Sequence, residues 1–285
     1  MMINDILNQL AACSEENNYS VYRIAVLDGV TEETRQLDLR QMNACMNSYS
    51  VAKAYTMTAI GMLVDDGVLD LEERVTDILV GEYDTVGDER WHQVTVDMAL
   101  THKIGLPKNF LDIDAKDPLA FGVDYLAYTF GQRLECDPGV EYVYTDAAYY
   151  LLARVVEKRA GESLDNFLWK RLFAPLAFRE VAWSHCPKGH VLGATGLYIR
   201  TDDMVKLGAV YLNGGKWRGR KIVSEQWVKT ALERGYELKP TGFGESYGKG
   251  GMLGQMLLVV PNKRLVVGWH GCGVKAEELT KMASL

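Results

Sequence analysis

Ser50 and Lys53 stand in the stretch YSVAK, residues 49–53, which runs on through KAYTMTAIGMLV without a proline. Residues three apart on a helix lie roughly 60° apart around the axis and share a face. A hydroxyl held beside an amine is a candidate nucleophile with its base. At the head of a helix, unpaired backbone N–H groups and the dipole also favour negative charge developing on that hydroxyl. The same two residues fit a plain helix cap with a solvated lysine, because serine is common at caps. Ser-x-x-Lys recurs at Ser246/Lys249, and there Ser246 lies in GESYG, which spells the G-x-S-x-G nucleophile elbow. That elbow requires a helix after the serine and then an acid before the histidine. Here the strand-like KGGMLGQMLLVV follows, and no Asp or Glu lies between Ser246 and His270. Context favours Ser50.

The histidines are less informative. His185, Cys186 and His190 fall close together in HCPKGH, but they lack a fourth ligand for a zinc site, so no metal is expected. His102 and His270 read as structural.

The elements that must position Ser50 come from both ends of the chain. MMINDILNQLAACSEENN places Ile3, Ile6, Leu7, Leu10 and Ala11 at helical spacing. YSVYRIAVLDG and ETRQLDLR read as strands, and GQMLLVV with RLVVGWH around PNK reads as a hairpin. Between them the pattern is mainly helical. AKAYTMTAIGMLVDDG should close on Gly67, TVDMALTHKIG on Gly105 and DAAYYLLARVVEKRAG on Gly161. Thr201 and Ser224 offer N-caps to DDMVKLGAVYL and EQWVKTALERG. The expected fold is α/β in the α+β sense. An antiparallel sheet built from about 1–50 and 195–285, flanked by terminal helices, carries a helical region of about 51–194, all in one catalytic domain over 1–285. The natural pocket is the crevice between sheet and helical region.

Composition limits the partners. A net charge of −7, with no Lys/Arg block to neutralise a row of phosphates, argues against nucleic acid. No apolar run approaches the roughly 20 residues of a membrane span. Five scattered cysteines with no C-x-x-C pair fit reduced thiols. The N-terminus has no basic start or long apolar stretch, so a cytoplasmic protein is expected, or a secreted or periplasmic one whose leader has been removed. Oligomeric state is open.

SYSVAKAYTMTAIGMLVDDGVLDLEERVTDIL, WHQVTVDMALTHKIGLP, PGVEYVYTDAAYYLLARVVEKRAG and GLYIRTDDMVKLGAVYLNGGKWRGRKIVSEQWV arrive in an order that resembles the serine β-lactamase and penicillin-binding protein superfamily. Within it the chain is similar to the class C β-lactamase-like branch of esterases and D-alanyl-D-alanine carboxypeptidases, over roughly residues 45 to 270. The resemblance implies a β-lactamase/transpeptidase-like fold and a cofactor-free serine hydrolase that forms an acyl-enzyme on Ser50, with Lys53 and Tyr144 as the acid/base pair. It makes YTD at 144–146 the counterpart of Y-S-N and KGG at 249–251 the counterpart of K-T-G. Lys249 would tune Tyr144 and attract a substrate carboxylate, and the N–H groups of Met252 and Ser50 would form the oxyanion hole. Two positions depart from the pattern. Asp146 replaces an Asn and cannot donate to a substrate carbonyl, and its charge would hold Lys53 protonated, moving the base role toward Tyr144. Gly250, beside Gly251, removes a hydroxyl that would meet a substrate carboxylate. The implied substrate is a small ester, amide or β-lactam, with strong β-lactamase activity in question. The alternative is a binding or scaffold protein on the same fold with weak or lost turnover.

Overall fold

The computed structural model describes residues 3–285, which divide into two compact units. Of the described residues, the first comprises 3–54, 171–182 and 197–285, and the second comprises 55–170 and 183–196.

A six-stranded antiparallel sheet forms the first unit. Its order across the sheet is Thr34–Asp38, Val21–Asp28, Leu265–Gly271, Met256–Val260, Tyr247–Gly250 and Lys239–Pro240. Strands from opposite chain ends meet in the middle, where Ile24 pairs with Trp269 and Val26 with Val267. Alternation along the Leu265–Gly271 strand sends Leu265, Val267 and Trp269 to one face, where they join Ile6, Leu7 and Leu10 of the helix Ile3–Glu16 and Leu279 and Ala283 of the helix Ala276–Ser284. The opposite face is covered by the helix Thr201–Leu212. A side-chain carbon at Gly208 would lie 2.5 Å from Val266, so glycine there lets helix and sheet close on each other.

Thr201 was expected as the cap of that helix. Instead it is the first helical residue, Arg200 holds the cap position without a side-chain bond, and the Thr201 hydroxyl shares a 2.8 Å hydrogen bond with His270 Nδ1. His270 is fully buried, and burial, with a smaller contribution from the Arg23 charge, pushes its imidazole down to about 3. An unfolded histidine titrates near 6.5. As pH falls below that value the unfolded chain takes up a proton that the folded one refuses, so stability is full above about 6.5 and declines toward 3 by on the order of 5 kcal/mol. The urea midpoint is expected to fall between pH 7 and pH 4, and His270→Asn, which keeps a partner for Thr201, is expected to flatten that slope. An unchanged slope would remove His270 as its origin.

The second unit is built around the helix Asp146–Ala160, buried from Asp146 to Val156 and closed by Gly161 at φ 70°. Trp91 packs edge-on against Phe130 at 5.1 Å and donates its indole N–H to Gln132 O. The helix expected to close on Gly105 covers only Val96–Leu100, capped by Thr95. Thr101 turns its hydroxyl back onto Asp97 O at 2.8 Å, and His102 takes the left-handed φ of 55°, which ends the helix early. Ser224 caps its helix as expected, accepting the Trp227 N–H at 2.9 Å. Among the described residues, no helix is long and apolar enough to cross a membrane.

Candidate active site

Ser50 does not sit in the long helix itself. It occupies a single 3₁₀ turn, Tyr49–Val51, which passes directly into the helix Ala52–Asp65. Two features fix this turn. Ser48 directs both its N–H and its hydroxyl to Leu197 O, at 2.8 and 2.9 Å, which ties the turn to the strand Leu197–Ile199. Tyr49 adopts φ 48°, a left-handed conformation that costs a non-glycine residue about 1–3 kcal/mol and persists only where the surroundings enforce it. Strain of this kind gathers at functional positions, and here it immediately precedes the serine.

Lys53 follows one turn on and is fully buried, with its ammonium 3.2 Å from Ser50 Oγ. This separates the two readings of YSVAK. A solvated first-turn lysine would be exposed, whereas this one is enclosed with its nitrogen on the hydroxyl.

The segment KGG closes on the same turn. Lys249 and Gly250 end the strand Tyr247–Gly250, and Met252 opens a short 3₁₀ turn, Met252–Gly254. A side-chain carbon at Gly251 would fall 2.5 Å from Ser48 O and 3.2 Å from the Tyr49 Cβ, closer than packed atoms come. Only glycine allows the strand end this near the serine turn. Gly250 is different, since the nearest atom to such a carbon there is 3.8 Å away and the missing threonine is not forced by packing.

Lys249 is not a bare cation. Its ammonium pairs with Glu237, whose side chain is fully buried while that of Lys249 is 11% exposed. Glu237 was missed in the sequence, although an acid between Tyr236 and Leu238 in GYELKP carried a faint signal. Both neighbours are buried, and a buried acid demands a counter-charge.

In the second unit, Tyr144 lies in the extended segment just before the helix Asp146–Ala160 and is 36% exposed. Its ring packs on His102 at 4.6 Å between centroids. His102 is buried, and Val143 donates its N–H to His102 O at 2.9 Å, so this histidine braces the tyrosine segment from ring and backbone together. Asp146 is buried in the first helical turn, where a carboxylate suits the dipole, and one oxygen accepts the Ile113 N–H at 3.2 Å.

The remaining polar clusters have structural tasks. Ser246, the serine of GESYG, is buried with its hydroxyl donating to Phe243 O at 2.6 Å and sharing hydrogen bonds with the hydroxyls of Thr241 and Ser284. It leads into a strand, not a helix, so the elbow is absent. Within HCPKGH, His190 Nδ1 lies 2.9 Å from Glu157, His185 faces Asp165 and Cys186 meets the Tyr150 hydroxyl at 3.5 Å, three separate destinations.

Comparison with known proteins gives the wider setting. Penicillin-binding protein 4 of Amycolatopsis lactamdurans is 38% identical over 140 residues, 48% of this chain and 36% of that protein. The 6-aminohexanoate-dimer hydrolase of Paenarthrobacter ureafaciens is 27% identical over 218 residues, 70% of this chain and 54% of that protein. The chain spans between about a third and two thirds of the length of the curated relatives it matches. A D-stereospecific amidohydrolase from a Streptomyces species shares the fold, with a TM-score of 0.71 at 16% identity over 98% of each chain. The family model described as Beta-lactamase matches residues 29–270, a span that holds the serine turn, YTD and KGG alike. The chain therefore belongs to the Beta-lactamase family, within the serine β-lactamase and penicillin-binding protein superfamily.

Proposed function

We propose that this protein is a serine hydrolase that cleaves a small ester or amide through an acyl-enzyme on Ser50, in the manner of the esterase and D,D-carboxypeptidase branch of its family. The observation that carries the proposal is the 3.2 Å approach of the fully buried Lys53 to Ser50 Oγ, next to a left-handed Tyr49. The relatives' names support acyl transfer as the reaction class, since they include a penicillin-binding protein, a dimer hydrolase and an amidohydrolase.

In the proposed reaction Ser50 Oγ attacks the carbonyl carbon and its proton passes to Tyr144 as phenolate, the base role that the Asp146 substitution favours. Lys53 holds Oγ and stabilises its developing charge. The N–H groups of Ser50 and Met252 receive the oxyanion, a contribution of about 3–4 kcal/mol per donor in a serine protease. The bond to the leaving group breaks, and Tyr144 returns the proton to the departing oxygen or nitrogen. Water, deprotonated by Tyr144, then cleaves the acyl ester and Ser50 regains its proton. The proposal treats both units as parts of one catalytic domain.

Labelling with a fluorophosphonate and with a fluorescent penicillin, followed by peptide mass spectrometry, tests it. The adduct is expected on Ser50 and should vanish in Ser50→Ala while persisting in Ser246→Ala. An adduct elsewhere, or none on folded protein, would overturn the proposal. Ligand protection without burst kinetics or product release would mark a binding protein on this fold instead.

A further inference from the structure

The lysine of KGG is the cation a substrate carboxylate would meet, and in this protein it already has a carboxylate of its own. Glu237 lies two residues ahead of the edge strand Lys239–Pro240, which pairs with the Lys249 strand through Lys239 and Gly248. The acid is thus carried on the segment that leads into the neighbouring strand of the same sheet. Its side chain is wholly enclosed and its oxygen Oε2 lies on the Lys249 ammonium. Partners in a buried ion pair hold each other in place, because separating them leaves an uncompensated charge out of water.

A second, independent feature points the same way. Gly250 has room for a Cβ, whose nearest atom would be 3.8 Å away, so packing does not dictate the loss of the carboxylate donor there. Both devices lie beside Gly251, which abuts the Ser50 turn at Ser48 and Tyr49.

We propose that Glu237 is a specificity-determining residue. By neutralising Lys249 it removes the lysine of KGG as the cation for a substrate carboxylate, and the protein's acyl donors are esters or amides with no anionic group next to the scissile bond. This rests on the hydrolase reading above and narrows its substrate class. Glu237 acts through Lys249 and touches no reacting atom.

Two esters that differ only by a carboxylate on the leaving group, phenyl acetate and 3-carboxyphenyl acetate, provide the test. In the wild-type protein kcat/KM for the anionic ester is expected to be no higher than for the neutral one. Glu237→Gln keeps the shape but frees the lysine charge, so the anionic-to-neutral ratio should rise about tenfold, mainly through KM, and the rise should shrink in 1 M salt as screening tightens. Glu237→Asp retains the charge and should keep the wild-type ratio. A wild-type protein that prefers the anionic ester tenfold overturns the proposal without any variant, which decides the matter even where Glu237→Gln fails to fold. An unchanged ratio in folded Glu237→Gln also overturns it, while leaving the hydrolase reading intact. Absence of Ser50-dependent hydrolysis of either ester overturns the hydrolase reading and the specificity proposal with it.

Discussion

Replacing Lys53 with methionine is expected to lower kcat/KM for any Ser50-dependent ester by about 10²–10³-fold, the range typical of removing one donor that stabilises developing negative charge. The prediction follows from where the amine sits. Lys53 is fully buried and its nitrogen is 3.2 Å from Ser50 Oγ, so its charge acts on that oxygen directly and with little screening by solvent. Methionine fills a similar volume with an unbranched chain and is a fair helix former, so the helix Ala52–Asp65 should persist by circular dichroism. The loss should appear in the acylation rate, read as slower fluorophosphonate labelling of Ser50, and not in deacylation alone. Retention of more than a tenth of wild-type activity would show that Lys53 is packing, and would return YSVAK to a structural role.

Much of the scaffold was legible because the hydrophobic pattern records burial directly. Alternation in VYRIAVLD and the apolar runs MLLVV and LVVGWHG gave the central strands, since a strand enclosed on both faces must be apolar nearly throughout. Gly161 marked its helix end because the left-handed closing residue is almost cost-free only for glycine. Helix ends set by side-chain chemistry were legible only where the cap is local, as at Ser224. His102 ends its helix in a conformation that histidine rarely takes, and Thr201 gives its hydroxyl to a histidine that is 69 residues away in the chain. The site followed the same division. Ser50 and Lys53 are local in sequence and their meeting could be read from helical spacing. The Glu237–Lys249 pair depends on which strands adjoin and in what register, so no pattern within either segment announces it. The strain at Tyr49 is equally invisible, because a tyrosine with positive φ exists only where its neighbours impose it.

Gly251→Ala is expected to cut activity about 100-fold and to lower stability by about 1–3 kcal/mol, while Gly250→Ala, one residue earlier, should leave the melting temperature nearly unchanged. The two glycines look interchangeable in KGGM, and neither needs glycine for its dihedral angles, since Gly251 has φ −116° and ψ 165°, ordinary extended backbone. The difference is purely one of space. A methyl group at Gly250 would meet nothing closer than 3.8 Å, whereas at Gly251 it would lie 2.5 Å from Ser48 O, a backbone atom that cannot rotate away. Relief requires the strand end and the serine turn to separate. The turn is held on its other side by the Ser48 bonds to Leu197, so the displacement falls mainly on the segment from Gly251 to Met252. Overpacking of this kind typically costs 1–3 kcal/mol, and a shift of about 1 Å in a group that positions the reacting centre can cost 10²-fold in rate. Steady-state kinetics on a neutral ester, with thermal unfolding of both variants, checks the pair. Equal behaviour of the two alanine variants would mean that the strand end does not set the geometry around Ser50, and would remove Met252 from the proposed oxyanion hole.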